Sequence, residues 1–290
     1  MMSPTAVEFA YRLPRRVGGG RPGAHPGTAI GAGLEFRGHR RLFDHPDPRR
    51  LDLRASLADL RGEWLVRVHR QRAAIPIQVL ADVSASMRFG APGKLELVAR
   101  FVEALGRSAF RIGDAVGLVG FDVRARPDLH APPRRGRAVG DSLAAALRAS
   151  PVLDVRPAGD GAGGIVDAAR RLGAPSGLVF IASDFHWPLE RLPAVLDGLS
   201  GASVVPIVTW DPAEMLPPEA DGLVRVADAE TGHRRTLWLR PSLRTRWRAA
   251  VDARRAELER VFAARHLRPF WMMGEFDAAA LTRHFLEERA

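Results

Sequence analysis

Short apolar runs alternate with amphipathic segments through the middle of the chain, and this alternation constrains the fold more than any other feature. Four runs predict buried strands, at residues 75–81, 115–121, 178–183 and 203–209. Segments with apolar residues three and four positions apart predict the intervening helices, at about residues 94–110, 139–149, 165–172 and 189–199. Such alternation favours right-handed crossovers between parallel strands. We therefore expect an α/β protein with a doubly wound, mostly parallel sheet and helices on both faces.

The segments on either side of this region depart from the alternation. Residues 1–32 are rich in Gly, Pro and Arg without a hydrophobic period, which predicts a flexible arm. Residues 33–74 predict an N-terminal segment, with a short helix and a strand, packed on a main domain of residues 75–290. Within that domain, two late strands at 223–227 and 236–239 predict a hairpin. A long amphipathic helix at 242–266, a last strand and a closing helix are expected to follow.

The composition limits the function classes that the chain can belong to. With 290 residues, 46% of them hydrophobic, it can bury a well-filled core. The absence of cysteine excludes disulfides, thiolate zinc sites and cysteine nucleophiles. No run approaches the roughly 20 apolar residues of a membrane helix, and early arginines interrupt any secretory signal. These features favour a cytoplasmic protein that does not contact a membrane.

The net charge of +10 is compatible with two kinds of partner. Nucleic acid is one, because a strongly basic surface attracts phosphates. However, Lys94 is the only lysine and the chain is rich in Ala, Gly and Pro, a bias that GC-rich coding also produces. No arginine cluster is interleaved with stacking aromatic residues. We therefore favour an acidic protein surface as the partner, with a basic nucleic-acid-binding protein that carries a vestigial metal motif as the alternative.

Polar side chains follow two of the predicted strands. Asp82 comes directly after the first strand, with Ser84 and Ser86 in the next loop, and Asp184 comes directly after the third. Because parallel strands end at the same edge of a sheet, we expect both carboxylates there. Oxygen ligands without His or Cys suit Mg²⁺, Mn²⁺ or Ca²⁺. The sequence thus predicts a divalent-metal site.

These residues have two other interpretations. Asp and Ser also cap helices, and without Asp184 the capping role would be favoured. A serine hydrolase would use Ser84 or Ser86 with His186 and Asp184, but the Gly-x-Ser-x-Gly elbow is missing. We therefore expect a binding protein rather than an enzyme.

The spacing of Asp82, Ser84 and Ser86, with Asp184 at a second strand end, resembles the metal-ion-dependent adhesion site of von Willebrand A domains. The wider sequence resembles the bacterial domain-of-unknown-function fifty-eight family, in the blocks at residues 37–40, 47–56, 64–67, 81–87 and 228–232. The resemblance runs from about residue 31 to the end. Members of that family are typically encoded beside MoxR-type AAA+ ATPases. The resemblance implies a protein-recognition or adaptor module that acts with such an ATPase, or on its client, in the assembly or maturation of other proteins.

The chain departs from the adhesion-site pattern in the loop before the third helix. Von Willebrand A sites usually take a threonine ligand there, but residues 161–164 have no hydroxyl. Asp160 is a candidate replacement, although a turn is the more usual role of such a residue. Water is another. In either case water would complete the shell of the metal, and one position would be open to a carboxylate of the partner.

Overall fold

The computed structural model describes residues 7–13, 22–31, 35–151 and 161–287. The chain divides into two compact units. The first comprises Met1–Arg12 and Pro76–Ala290, and the second comprises Leu13–Ile75. Among the residues described, no helix is long and apolar enough to cross a membrane.

The second unit is a three-stranded antiparallel sheet with one short helix. The strands lie in the order β1-β3-β2, and helix α1 precedes β3: β1 (Pro22–Gly31), β2 (Glu35–Arg41), α1 (Leu53–Ala58) and β3 (Leu65–Ala73). Asp52 caps α1 by accepting a hydrogen bond from the Ala55 amide at 3.1 Å. The same carboxylate accepts hydrogen bonds from His39 and Arg67. Those bonds hold its pKa well below the usual range.

Strand β1 differs from the flexible arm expected for residues 1–32. A Cβ atom at Gly27 would lie 2.2 Å from the Gln71 carbonyl oxygen, and one at Gly23 would lie 2.2 Å from the Ala74 nitrogen. Glycine therefore allows β1 to approach this part of the chain closely. In the first unit, Phe9 and Tyr11 are also buried. In β1, glycine and proline therefore indicate close contact between backbones. Such contact leaves no hydrophobic period in the sequence, so the pattern did not predict this strand.

The first unit contains the main sheet, its covering helices and the late hairpin. Its elements in chain order are β4 (Pro76–Asp82), α2 (Lys94–Ile112), β5 (Ala115–Phe121), β6 (Ala125–Arg134), α3 (Val139–Ala149), α4 (Gly161–Leu172), β7 (Leu178–Ser183), α5 (Leu192–Gly198), β8 (Ser203–Trp210), α6 (Pro212–Met215), β9 (Gly222–Ala227), β10 (Arg234–Leu239), α7 (Pro241–Ala263), β11 (Phe270–Met273) and α8 (Ala278–Glu287).

The six strands of the main sheet lie in the order β11-β8-β7-β4-β5-β6. All neighbouring pairs are parallel except β5 and β6. The expected α/β class with a mostly parallel sheet is confirmed. Strand β6 was not predicted, because its three prolines and its polar residues hide the strand pattern. Proline is tolerated there since β6 is an edge strand.

Apolar residues cover the sheet on both faces. On one face, Val179 and Ile181 of β7 belong to a large buried cluster that includes Leu258 and Phe262 of α7. On the other, Phe180 packs edge-on against Phe101 of α2, with ring centroids 5.0 Å apart. The predicted hairpin is present as the antiparallel pair β9 and β10. The two central strands, β4 and β7, are therefore held between layers, which fixes the edge where both end.

Candidate metal centre

The carboxyl ends of β4 and β7 meet at the middle of the sheet. The two strands are parallel, with Ala81 opposite Ala182, so Asp82 and Ser183 end side by side. The Ser183 hydroxyl donates to Asp82 Oδ2 at 2.7 Å. Both residues are buried. The hydroxyl of the last residue of β7 thus fixes the orientation of the carboxylate at the end of β4.

The loop after β4 brings two hydroxyl groups towards the same carboxylate. The Ser84 amide donates to Asp82 Oδ1 at 3.0 Å, which turns the chain back over the strand end. The hydroxyls of Ser84 and Ser86 lie 3.2 Å apart, and both residues are half-buried. The structure therefore places Asp82, Ser84 and Ser86 together.

Asp184 is engaged by a cation that belongs to the chain. Its Oδ2 lies 2.7 Å from Lys94 Nζ, and the same ammonium lies 2.6 Å from Glu214 Oε1. Burial raises the pKa of Asp184, but the charges of Lys94 and His186 outweigh it and hold the pKa below its usual value. Burial lowers the pKa of Lys94, and the two carboxylates outweigh that effect, so its pKa is raised. Lys94 is the first residue of α2, so the helix start and the strand end are joined by an ion pair.

Several contacts hold the backbone that follows Asp184. Phe185 is buried with φ of 53°, a left-handed conformation that side chains rarely adopt. The Trp210 indole donates to the Asp184 carbonyl at 2.8 Å. The Arg254 guanidinium donates to the carbonyls of Phe185 and Trp187. Packing and hydrogen bonds around this loop therefore position Asp184.

Asp82 differs from Asp184 in having no cation of its own. Among the residues that the structure describes, no Lys, Arg or His side chain forms an ion pair with Asp82. Burial, followed by the charge of Asp184, raises its pKa to about 7, although hydrogen bonds from Ser84 and Ser183 act in the opposite direction. A buried carboxylate without a counter-charge is costly. Its environment favours an added cation.

The donor set around Asp82 fits a divalent metal ion. It offers one carboxylate and two hydroxyls, all oxygen ligands, which suit Mg²⁺, Mn²⁺ or Ca²⁺. A second group, Asp184, His186 and Glu214, offers three ligand atoms within 4.8 Å of one another. Lys94 contacts both carboxylates of that group and already supplies its positive charge. The Asp82 side is therefore the better place for an ion.

Residues 161–164, where the usual threonine ligand would lie, form the first turn of α4 rather than a loop, and packing constrains them. A Cβ atom at Gly164 would lie 1.9 Å from the Asp122 carbonyl oxygen, and one at Gly163 would lie 3.2 Å from that of Val123. Only glycine fits at position 164 without moving the backbone. Asp160, the suggested replacement ligand, lies outside the described residues.

Several residues at the site were not predicted from the sequence as part of it. Lys94 contacts Asp184, 90 positions away in the chain, and Glu214, 120 positions away. Glu230, in the turn between β9 and β10, accepts a hydrogen bond from the Ser86 amide at 2.8 Å. The single lysine of the chain, at the start of a predicted helix, was the one signal available in the sequence. Nothing in local spacing indicates the two glutamates.

The six-stranded sheet, its one antiparallel edge pair and the Asp82 loop at the end of a central strand define an α/β domain with a doubly wound, mostly parallel sheet. Residues 47–257 match the family described as protein of unknown function DUF58. This match spans more than half of the chain, which therefore belongs to that family. The resemblance of the sequence to this family is confirmed.

One relative and several solved structures are similar to the chain. An uncharacterised protein in the moxR 3′ region of Paracoccus denitrificans is 33% identical over 92 residues, 32% of this chain and 88% of that protein. BatB from Bacteroides thetaiotaomicron is 13% identical over 74% of this chain and 98% of its own, with a TM-score of 0.40. An aerotolerance-related membrane protein from Bacteroides fragilis has the same coverage, 15% identity and a TM-score of 0.42.

A third similar structure carries a metal in its adhesion-site motif. Proximal thread matrix protein 1 from the mussel byssus, with a zinc-occupied motif, is 14% identical to this chain. The similarity covers 47% of this chain and 38% of that protein, with a TM-score of 0.31.

Proposed function

We propose that this chain is a metal-dependent protein-recognition module that acts with a MoxR-type AAA+ ATPase, or on its client, in the assembly or maturation of other proteins. One observation carries the proposal. Two buried carboxylates lie at adjacent strand ends, and Lys94 pairs with Asp184 while Asp82 has no basic partner among the described residues. The group without a cation is the one beside the two half-buried hydroxyls.

The residues of the site have different roles in binding an ion and a partner. Asp82, Ser84 and Ser86 would hold Mg²⁺, Mn²⁺ or Ca²⁺, which when bound would attract a partner carboxylate. Ser183 orients Asp82, and Lys94 offsets the charge of Asp184, so that the carboxylates do not both need the ion. Binding of the partner would therefore depend on the metal.

The site offers little that supports catalysis. The His186 ring stacks on Trp210, with centroids 5.5 Å apart, and its Nε2 lies 4.0 Å from Glu214 Oε2. Among the described residues, no hydrogen bond joins His186 to Ser84 or Ser86. A serine nucleophile would need a base within hydrogen-bond reach. We therefore propose binding, and no reaction, for this site.

The second unit supports an acidic protein as the partner. It has thirteen arginines and six acidic residues, and so carries seven of the chain's ten net positive charges. Three leucines on α1 and in the following turn, Leu53, Leu57 and Leu60, are exposed. Arg54 and Arg61 are next to two of these leucines in the sequence, and exposed leucines among arginines suit an acidic partner with apolar residues. The genomic position of the Paracoccus relative supports a MoxR-type ATPase as the first candidate.

The test is binding between this chain and a purified MoxR-type ATPase, measured by calorimetry with Mg²⁺ and then with EDTA. We expect EDTA, or the substitution Asp82→Asn, to weaken binding by about tenfold or more, as the loss of a charge-assisted contact should. Asp252→Asn, on the exposed side of α7, removes the same charge elsewhere and should change nothing. Binding that EDTA leaves unchanged contradicts the proposal. Chelator-independent DNA or RNA binding with a steep salt dependence would favour the nucleic-acid alternative.

A further inference from the structure

The hairpin of β9 and β10 reaches the candidate metal centre. Its turn brings Glu230 to the loop after β4, where Glu230 Oε1 accepts a hydrogen bond from the Ser86 amide at 2.8 Å. The two residues are 144 positions apart in the chain. Ser86 is one of the three residues that would hold the metal. A carboxylate of the chain therefore lies at the face where a partner carboxylate would bind.

The turn is built to present Glu230. Asp228 Oδ1 accepts hydrogen bonds from the amides of Glu230 and Thr231, at 2.9 and 3.0 Å. Gly232 completes the turn with φ of 68°, a conformation that favours glycine. Because Asp228 holds the backbone amides of Glu230 and Thr231, the Glu230 side chain extends from the tip of the turn. The position of its carboxylate is set by the hairpin.

Glu230 contacts a backbone amide of the site although arginines lie near it in the sequence. Arg234 and Arg235 lie in its own hairpin and are exposed, yet among the described residues Glu230 forms no ion pair with an arginine. Its carboxylate instead contacts a backbone amide of the site. Glu230 is itself exposed, and an exposed single contact is easily exchanged. The contact therefore has the features of a reversible one.

We propose that Glu230 is an internal ligand that occupies the recognition face in the resting protein and must leave before a partner carboxylate binds. This inference rests on the proposed function, because it takes the partner group to be a carboxylate. With Glu230 on the Ser86 amide, its carboxylate occupies the face where a partner carboxylate would bind the ion, so only one can be bound at a time. Movement of the hairpin would thus control access to the site.

The first test uses the full chain loaded with Mn²⁺ and acetate as the carboxylate probe. Glu230→Ala removes the internal ligand, and Glu219→Ala removes an exposed carboxylate elsewhere as the matched control. Loss of a competing hydrogen bond should tighten acetate binding by about three- to tenfold in Glu230→Ala, with the control unchanged. Acetate binding that is unchanged or weaker in Glu230→Ala overturns the inference.

The second test needs no metal. Amide hydrogen exchange at Ser86 should be about three- to tenfold faster in metal-free Glu230→Ala than in the wild type and in Glu219→Ala, because the donor loses its acceptor. Equal exchange rates at Ser86 overturn the internal-ligand role while leaving metal binding intact. A wild-type chain that binds no Mn²⁺ overturns the proposed function, and with it this role for Glu230, whatever the exchange rates show.

Discussion

Lys94 Nζ lies 2.7 Å from Asp184 Oδ2, and each side chain is only 1% exposed. This ion pair links the start of α2 to the end of β7. It also separates the roles of two carboxylates that the sequence alone places on an equal footing. Asp184 has a permanent cation, whereas Asp82 has no basic partner among the described residues.

Replacing Lys94 with Met should destabilise the protein strongly. The substitution leaves two carboxylates, Asp184 and Glu214, beside each other without their ammonium, and breaking a buried pair costs about 3–5 kcal/mol. Urea denaturation of the metal-free protein measures the change in the free energy of unfolding. Arg100→Ala breaks the surface pair with Glu96 as a control and should cost at most about 1 kcal/mol. A loss in Lys94→Met no larger than in this control would contradict the assigned role.

Metal affinity should rise with pH and then level off. Burial and the charge of Asp184 raise the pKa of Asp82 to about 7, and the ion requires the ionised carboxylate. Below pH 7 the affinity for Mn²⁺ should therefore increase about tenfold per pH unit, with one proton released. Titration calorimetry in two buffers of different ionisation enthalpy measures that proton.

The same raised pKa has an opposite effect on the metal-free protein. Asp82 is protonated in the folded state between its ordinary value of 3.8 and about 7, while the unfolded chain is ionised there. Its contribution to stability is therefore present at low pH and is lost as pH rises through that window. Asp82→Asn should remove this dependence. If the free energy of unfolding varied with pH in the same way in the metal-free wild type and in metal-free Asp82→Asn, the raised pKa of Asp82 would be contradicted.

Gly164→Ala should be destabilising although it adds one carbon atom. That atom would lie 1.9 Å from the Asp122 carbonyl oxygen, so the start of α4 must move, at a cost of about 1–3 kcal/mol. Gly198→Ala is the matched control, because a Cβ there meets nothing within 4 Å and the residue is helical. The control should be neutral or stabilising by up to about 1 kcal/mol. Thermal unfolding of the two variants distinguishes them, and equal shifts would be inconsistent with the packing.

Leu57→Asp should weaken partner binding without affecting the fold. Leu57 is 84% exposed on α1, whose buried residue is Ser56, hydrogen-bonded to the Leu65 amide at 2.9 Å. An exposed leucine contributes little to folding, whereas a negative charge there repels an acidic partner. Calorimetry with the ATPase should show weaker binding, with metal affinity unchanged. Unaltered binding would mean that this surface is not part of the interface.

The fold was largely predictable because its signals are local. Each core strand is a short apolar run and each helix has its own period, so neighbouring residues identify them. Strands β1, β2 and β6 were missed. Gly and Pro interrupt β1, Pro and polar residues interrupt β6, and β2 is polar and largely exposed. The glycines and prolines serve backbone approach and an edge position, neither of which produces a hydrophobic pattern.

The site was predictable only in part, because only some of its residues are marked by local patterns in the sequence. Asp82, Ser84 and Ser86 lie within one loop, and Asp184 ends a recognisable strand. Lys94, Glu214 and Glu230 reach the site from distant elements, through contacts that only the folded chain creates. The sequence therefore placed Asp82, Ser84, Ser86 and Asp184 at one edge of the sheet, but it indicated neither Lys94 nor Glu230.

The most direct test of the central claim is a calorimetric titration of the purified chain with Mg²⁺ and Mn²⁺ at pH 7.5, beside Asp82→Asn and Asp252→Asn. We predict saturable binding of one ion by the wild type and by Asp252→Asn, and its loss in Asp82→Asn. Absence of saturable binding in the wild type, or equal binding by all three proteins, would contradict the account.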